Sequence, residues 1–81
     1  MRATVLVRPK DGILDPQGEA VGHSMRNLGF DVNTVRVGRV VDLVVEADGA
    51  EDATVQIQRM CAELLANPLI ESFEIRLGEE T

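Results

Sequence analysis

The sequence predicts a two-layer α+β domain, with elements in the order β-α-β-β-α-β, an antiparallel sheet and both helices on one face. Three observations predict it. Apolar residues alternate with polar ones near both ends of the chain and in its middle, as in half-buried strands. Two stretches with apolar residues at helical spacing separate those runs, one from Pro16 to Leu28-Gly29 and one from Glu51 to Asn67-Pro68. The turn between the two middle β-rich runs is too short for a crossover, so those runs must be antiparallel neighbours.

Arg2-Ala3-Thr4-Val5-Leu6-Val7-Arg8 opens the chain as a strand, with Ala3, Val5 and Val7 on one face and Thr4, Leu6 and Arg8 on the other; Pro9 ends it. A turn from Lys10 to Leu14 carries Ile13 and Leu14, two adjacent aliphatics that invite local packing onto the following helix or, failing that, burial at an interface. Asp15-Pro16 starts that helix: the carboxylate can accept from free N–H groups of the first turn, and proline at the first helical position has no N–H to leave unsatisfied. Gln17 and Gly18 are not explained by capping. Glycine weakens a helix by about 1 kcal/mol relative to alanine, so Gly18 signals a close approach to the backbone by another segment of the chain, a partner or a ligand. Ala20, Val21, Ser24, Met25 and Leu28 form the helix's inner stripe, Gly29 stops it, and Phe30 follows where the chain commonly folds back.

Asp31 to Val37 and Arg39 to Ala47 read as two strands hinged at Gly38. In the second, Val41, Leu43 and Val45 share one face and Val40, Asp42, Val44 and Glu46 the other. Val40 and Val44, opposite the helix layer, suggest that another protomer or subunit covers that second face. Asp48-Gly49 breaks the pairing, and Glu51 and Asp52 place negative charge at the start of the second helix. Its apolar face is Ala53, Ile57, Met60, Cys61, Leu64 and Leu65, and Asn67-Pro68 ends it. Phe73, Ile75 and Leu77 alternate with Ser72, Glu74 and Arg76 as the last strand, before a frayed tail over 78–81. This order is ferredoxin-like, an arrangement that serves many unrelated functions.

Composition narrows the function. The 81 residues read as one domain of a size that buries only about 60% of its unfolded surface and gains from self-association. With two phenylalanines as the only aromatics, the core must be aliphatic. Eight basic against fourteen acidic residues give a net charge of −6, which disfavours nucleic acid and anionic membrane and favours a basic partner protein. The single Cys61 cannot form an internal disulfide, and no N-terminal apolar run resembles a signal or a spanning helix, so a reducing, cytoplasmic setting is expected. No phosphate loop, dinucleotide fingerprint, metal-ligand spacing or nucleophile elbow is present. His23 has no ligand-spaced companion, Cys61 belongs to an apolar stripe, and the pairs Asp11/Asp15 and Glu51/Asp52 are explained by a turn and a helix start. No catalytic residue and no metal site is therefore assigned. The candidate contact residues are Asp15, Gln17, Gly18, Val40 and Val44.

Leu14-Asp15-Pro16-Gln17-Gly18-Glu19-Ala20-Val21, Leu28-Gly29-Phe30, Val35-Arg36-Val37-Gly38-Arg39 and Leu64-Leu65-Ala66-Asn67-Pro68-Leu69-Ile70-Glu71 together resemble the successive signatures of PurS, the small subunit of phosphoribosylformylglycinamidine synthase. Arg39 stands where that family often has lysine, a change that keeps the charge. The resemblance implies a non-catalytic scaffold, a homodimer or higher homo-oligomer that bridges an ATP-dependent synthase subunit and a glutaminase subunit. Together these convert formylglycinamide ribonucleotide, glutamine and ATP to formylglycinamidine ribonucleotide, with this subunit supporting the route of ammonia between them. It also implies that no cofactor is bound by this chain, ATP and magnesium being used by the synthase subunit. Two other classes stay open: a ligand-binding regulatory module with Gly12 near its site, and a minimal enzyme using Cys61 or His23.

Overall fold

The computed structural model describes residues 1–78. Its elements are β1 (Arg2–Pro9), α1 (Pro16–Asn27), β2 (Arg39–Val44), α2 (Ala50–Met60), a π-helical turn (Cys61–Leu65) and β3 (Glu71–Leu77). The α+β class, the antiparallel sheet and its strand–helix alternation are as the sequence predicts, but the sheet has three strands, ordered β2-β1-β3. In β1 the alternation places Ala3, Val5 and Val7 in the core. Val5 lies between Val41 and Ile75, and Val7 between Arg39 and Phe73. α2 covers this face with Ala53 and Ile57 and the π turn with Cys61, all fully buried, while Met60, Leu65, Ile75 and Leu77 pack around them. Apart from Cys61 the core is aliphatic.

Leu64 departs from the expected α2 stripe and is largely exposed. The π turn accounts for it: the Ala66 N–H donates to the Cys61 carbonyl, five residues back, at 3.0 Å. The wider turn rotates Leu64 outward, and Ala66 takes the buried position instead. A second departure is the predicted strand over 31–37, which has no partner in the sheet. Residues 32–37 run along α1, where two of their carbonyls are met: Arg26 Nη1 donates to the carbonyls of Val32 and Asn33 at 3.3 and 3.4 Å. The expected hairpin around Gly38 does not form.

α1 departs furthest. No residue of α1 belongs to the core or packs against it, so only α2 roofs the sheet. Ala20, Ser24 and Leu28 of the expected stripe are exposed, and the buried residues of α1 are Gly18 and Gly22. The helix end is as expected: Gly29 has φ +97°, and the N–H groups of Gly29 and Phe30 donate to the carbonyls of Arg26 and Met25 at 3.0 and 3.1 Å. Phe30 itself remains exposed, as do Ile13 and Leu14, so the expected local packing of that pair does not occur. The molecule is accordingly long and thin, 50 × 31 × 14 Å, with a radius of gyration of 15.9 Å. A compact chain of this length would have about 12 Å. Of the tail, the Gly78 N–H still donates to the Arg2 carbonyl at 2.9 Å; 79–81 lie outside the described residues.

Candidate functional site

Asp15 fastens the arm formed by α1 and residues 32–37. Oδ1 accepts from the Gly18 N–H at 3.0 Å, the expected helix cap, and Oδ2 accepts from the Val37 N–H at 2.8 Å. The second bond ties the start of α1 to the stretch that leads into β2. These two N–H donors, Val37 first and Gly18 next, hold the carboxyl below the usual carboxylate range. Arg36 adds an exposed ion pair with Asp11 at 2.9 Å.

Gly18 is buried, and the approach it permits comes from the same chain. A Cβ there would collide with the Val35 carbonyl oxygen and with the Asp15 carboxylate. One helical turn on, a Cβ at Gly22 would lie 3.3 Å from Val35 Cγ2. Glycines four residues apart thus make a groove on α1 into which Val35 settles, its carbonyl over Gly18 and its side chain over Gly22. Gln17 is exposed beside it.

The side of the sheet away from α2 carries the other candidates. Val40 is directly opposite Leu6 and Val44 directly opposite Arg2, and directly paired residues share a face. Val40 is 60% exposed and Val44 72%. Between them Thr4 Oγ1 donates to Asp42 Oδ1 at 2.8 Å. The structure therefore places Val40 and Val44 together on an open face, and Asp15, Gln17 and Gly18 together on the arm.

An organised corner was missed by sequence reasoning. Arg39 donates to both carboxylate oxygens of Glu71, at 2.8 and 3.0 Å, and to the Leu65 carbonyl at 2.6 Å. Glu71 Oε1 also accepts from the Asn67 N–H at 2.8 Å. Arg39 is therefore the chief cause that lowers the Glu71 pKa, with the Asn67 N–H next. Only the motif positions of Arg39 and Glu71 hinted at this pairing, because β2 and β3 are separated by β1. Cys61 is buried, and loss of solvation raises its pKa, which suits a packing residue better than a nucleophile. His23 is exposed. Among the described residues no group of three or more His, Cys, Asp or Glu is placed to hold a metal, and no helix is long and apolar enough to cross a membrane.

Fold and surfaces together define a small α+β module of ferredoxin-like order. Residues 2–79 match the family model PurS, phosphoribosylformylglycinamidine (FGAM) synthase, and the chain belongs to the PurS family. It is 42% identical over 79 residues to the phosphoribosylformylglycinamidine synthase subunit PurS of Archaeoglobus fulgidus, covering 93% of this chain and 95% of that protein. Among solved structures it resembles Methanocaldococcus jannaschii PurS, described as one of the subunits of formylglycinamide ribonucleotide amidotransferase in the purine biosynthetic pathway. That likeness has a TM-score of 0.87 at 32% identity and covers 99% of this chain and 98% of that one. A chain in the structure of PurLQS from Thermotoga maritima matches with a TM-score of 0.85 at 33% identity, over 93% of each chain.

Proposed function

We propose that this chain is a non-catalytic bridging subunit of a cytoplasmic phosphoribosylformylglycinamidine synthase. It joins the ATP-dependent synthase subunit to the glutaminase subunit and self-associates through the open face of its sheet. ATP and magnesium act on the synthase subunit, and ammonia released by the glutaminase is used there. The observation that carries this reading is surface left uncovered by the chain itself. The accessible area is 6035 Å², against about 4,800 Å² for a compact protein of this size. The excess, roughly 1,200 Å², exceeds the ~800 Å² that one partner contributes to an interface of ordinary size. Val40 and Val44 supply its aliphatic part on the sheet, with Gln17 as a contact beside the arm; Asp15 and Gly18 hold that arm in place.

Size-exclusion chromatography with light scattering tests both halves of the proposal. Alone, the chain should run as a dimer or larger, and Val44→Glu should reduce it to a monomer. Mixed with the synthase and glutaminase subunits, the parent chain should elute with both. A monomer at micromolar concentration would refute the self-association, and failure to join either subunit would refute the bridging role.

A further inference from the structure

Residues 32–37 have the composition of a strand and no strand beside them, and β2 has an outer edge with no strand beside it. Their backbone groups match. The Val45 N–H donates to the Met1 carbonyl and the Met1 amine to the Val45 carbonyl, both at 2.8 Å. The antiparallel register of β1 and β2 continues from that pair. Odd-numbered residues of β2 therefore bond to β1, while Val40, Asp42 and Val44 aim their N–H and C=O groups outward. In 32–37 the odd-numbered residues are the ones engaged with α1: the Val37 N–H on Asp15, the Asn33 carbonyl on Arg26 and the Val35 carbonyl over Gly18. Arg26 also reaches the Val32 carbonyl. Thr34 and Arg36 are left, and among the described residues nothing bonds to their backbone.

We propose that two copies of this chain exchange these segments: residues 32–37 of one copy pair antiparallel with the outer edge of β2 in the other, about a two-fold axis near Gly38. Each sheet then gains, from the second copy, the strand that the β-α-β-β-α-β order calls for. The proposal rests on the self-association proposed above and needs no contact through the open face. Three observations carry it. First, both free edges are satisfied only where even-numbered residues meet even-numbered ones, Thr34 and Arg36 against Val40, Asp42 and Val44. Directly paired residues share a face, so Val35 and Val37 fall on the side of Val41 and Leu43, the side that α2 roofs. Second, Val35 already turns its side chain to α1, over Gly22. α1 therefore arrives on the helix side of the partner's sheet, beside α2, where Val41 and Leu43 are only half-buried. Its own Val21, Met25 and Leu28 gain there the cover that their chain does not give them. Third, Gly38 is the whole link between 32–37 and β2, and it is held against β1: a Cβ there would come within 2.1 Å of the Val7 carbonyl oxygen. A short hinge that keeps a hairpin open is the ordinary route to an exchanged pair.

The test is isotope-filtered NMR on an assembly of labelled and unlabelled copies, with mass measured by light scattering. Methyl groups of Val35 and Val37 in one copy should contact those of Val41 and Leu43 in the other. Inserting Asn-Gly after Gly38 supplies a two-residue hairpin loop, so the same contacts should move inside one copy and the exchanged pair should come apart. Thr34→Pro is the second variant. It removes an N–H that has no partner within the chain, so the protomer loses no bond. The exchanged pair loses that bond twice by symmetry, and its dissociation constant should rise at least ~10-fold. Val44→Glu alters the edge as well as the open face, so the NMR contacts separate the two surfaces. An oligomeric parent without those contacts between copies would overturn the exchange and leave the open-face reading standing. So would an insertion variant that keeps them between copies, or a Thr34→Pro variant whose self-association is unchanged. If the parent is a monomer, the self-association itself falls, and this proposal with it.

Discussion

Around Ile57 the chain is closed by side chains; around Gly18 it is closed by backbone. Val5, Val7, Ile57 and Cys61 interlock on one face of the sheet with no polar group among them. In the arm, α1 and residues 32–37 meet across two glycines, and Asp15 spans the gap with one oxygen on each segment. The first arrangement is stable because it removes aliphatic surface from water. The second buries little, so its geometry depends on close approach and on one carboxylate, and Val21, Met25 and Leu28 gain no cover from the core. The difference teaches where the chain is complete and where it is not: the sheet and α2 form a finished core, while the arm is shaped but uncovered.

The sharpest way to break this contrast is Ile57→Ala, which should cost about 2–5 kcal/mol, a large share of the stability of so small a domain. Urea denaturation monitored by circular dichroism measures it. A loss below 1 kcal/mol would mean that the core is less closed than described.

Gly18→Ala should come next, at about 1–3 kcal/mol. Alanine is the better helix former by about 1 kcal/mol, so helix propensity alone would make this variant more stable. The Val35 carbonyl above Gly18 reverses that sign. Hydrogen exchange should show the Val37 amide losing protection first, since the clash pushes 32–37 away from Asp15. A stabilised variant with Val37 still protected would show that nothing approaches the helix there.

A smaller effect tests the two carboxylates. Asp15 and Glu71 both have pKa values lowered by folding. Their contribution is therefore complete above the ordinary carboxyl value of about 4 and disappears as pH falls through the lower folded-state values. Asp15→Asn and Glu71→Gln should each flatten the acid limb of a plot of melting temperature against pH. The Asp15 change should act on arm protection and the Glu71 change on the α2–β3 corner. Unchanged acid limbs would remove both carboxylates from the account.

The strands and helices that bury a face on the core were legible in the sequence, because a period of two in β1 and β3 and a helical stripe in α2 record that burial directly. The arm was harder to read. Val32, Val35 and Val37 have the composition of a strand, but their neighbour is a glycine groove on α1, and periodicity says nothing about which surface a β-rich run will meet. Gly18 did announce a close approach; that it comes from Val35 is a tertiary fact. Leu64 was misplaced because a helical wheel assumes a constant turn, and the π turn carries Leu64 out of the stripe and Ala66 into it. Arg39 and Glu71 are 32 residues apart, and only the strand order makes them neighbours. Val40 and Val44 were visible as misplaced aliphatics because the face opposite the helix layer had no need of them.

The central claim is that this chain works by contact and not by chemistry, and reconstitution of the three-subunit synthase measures it most directly. Glutamine-dependent formation of formylglycinamidine ribonucleotide should require the chain, ammonia-dependent formation by the synthase subunit should not, and a His23→Ala/Cys61→Ala double variant should restore the glutamine-dependent rate to within ~3-fold of the parent, far from the 10²-fold or greater losses typical of removing a catalytic group. A double variant that assembles at the correct mass yet leaves glutamine-dependent turnover at background would contradict the account and place chemistry in this subunit.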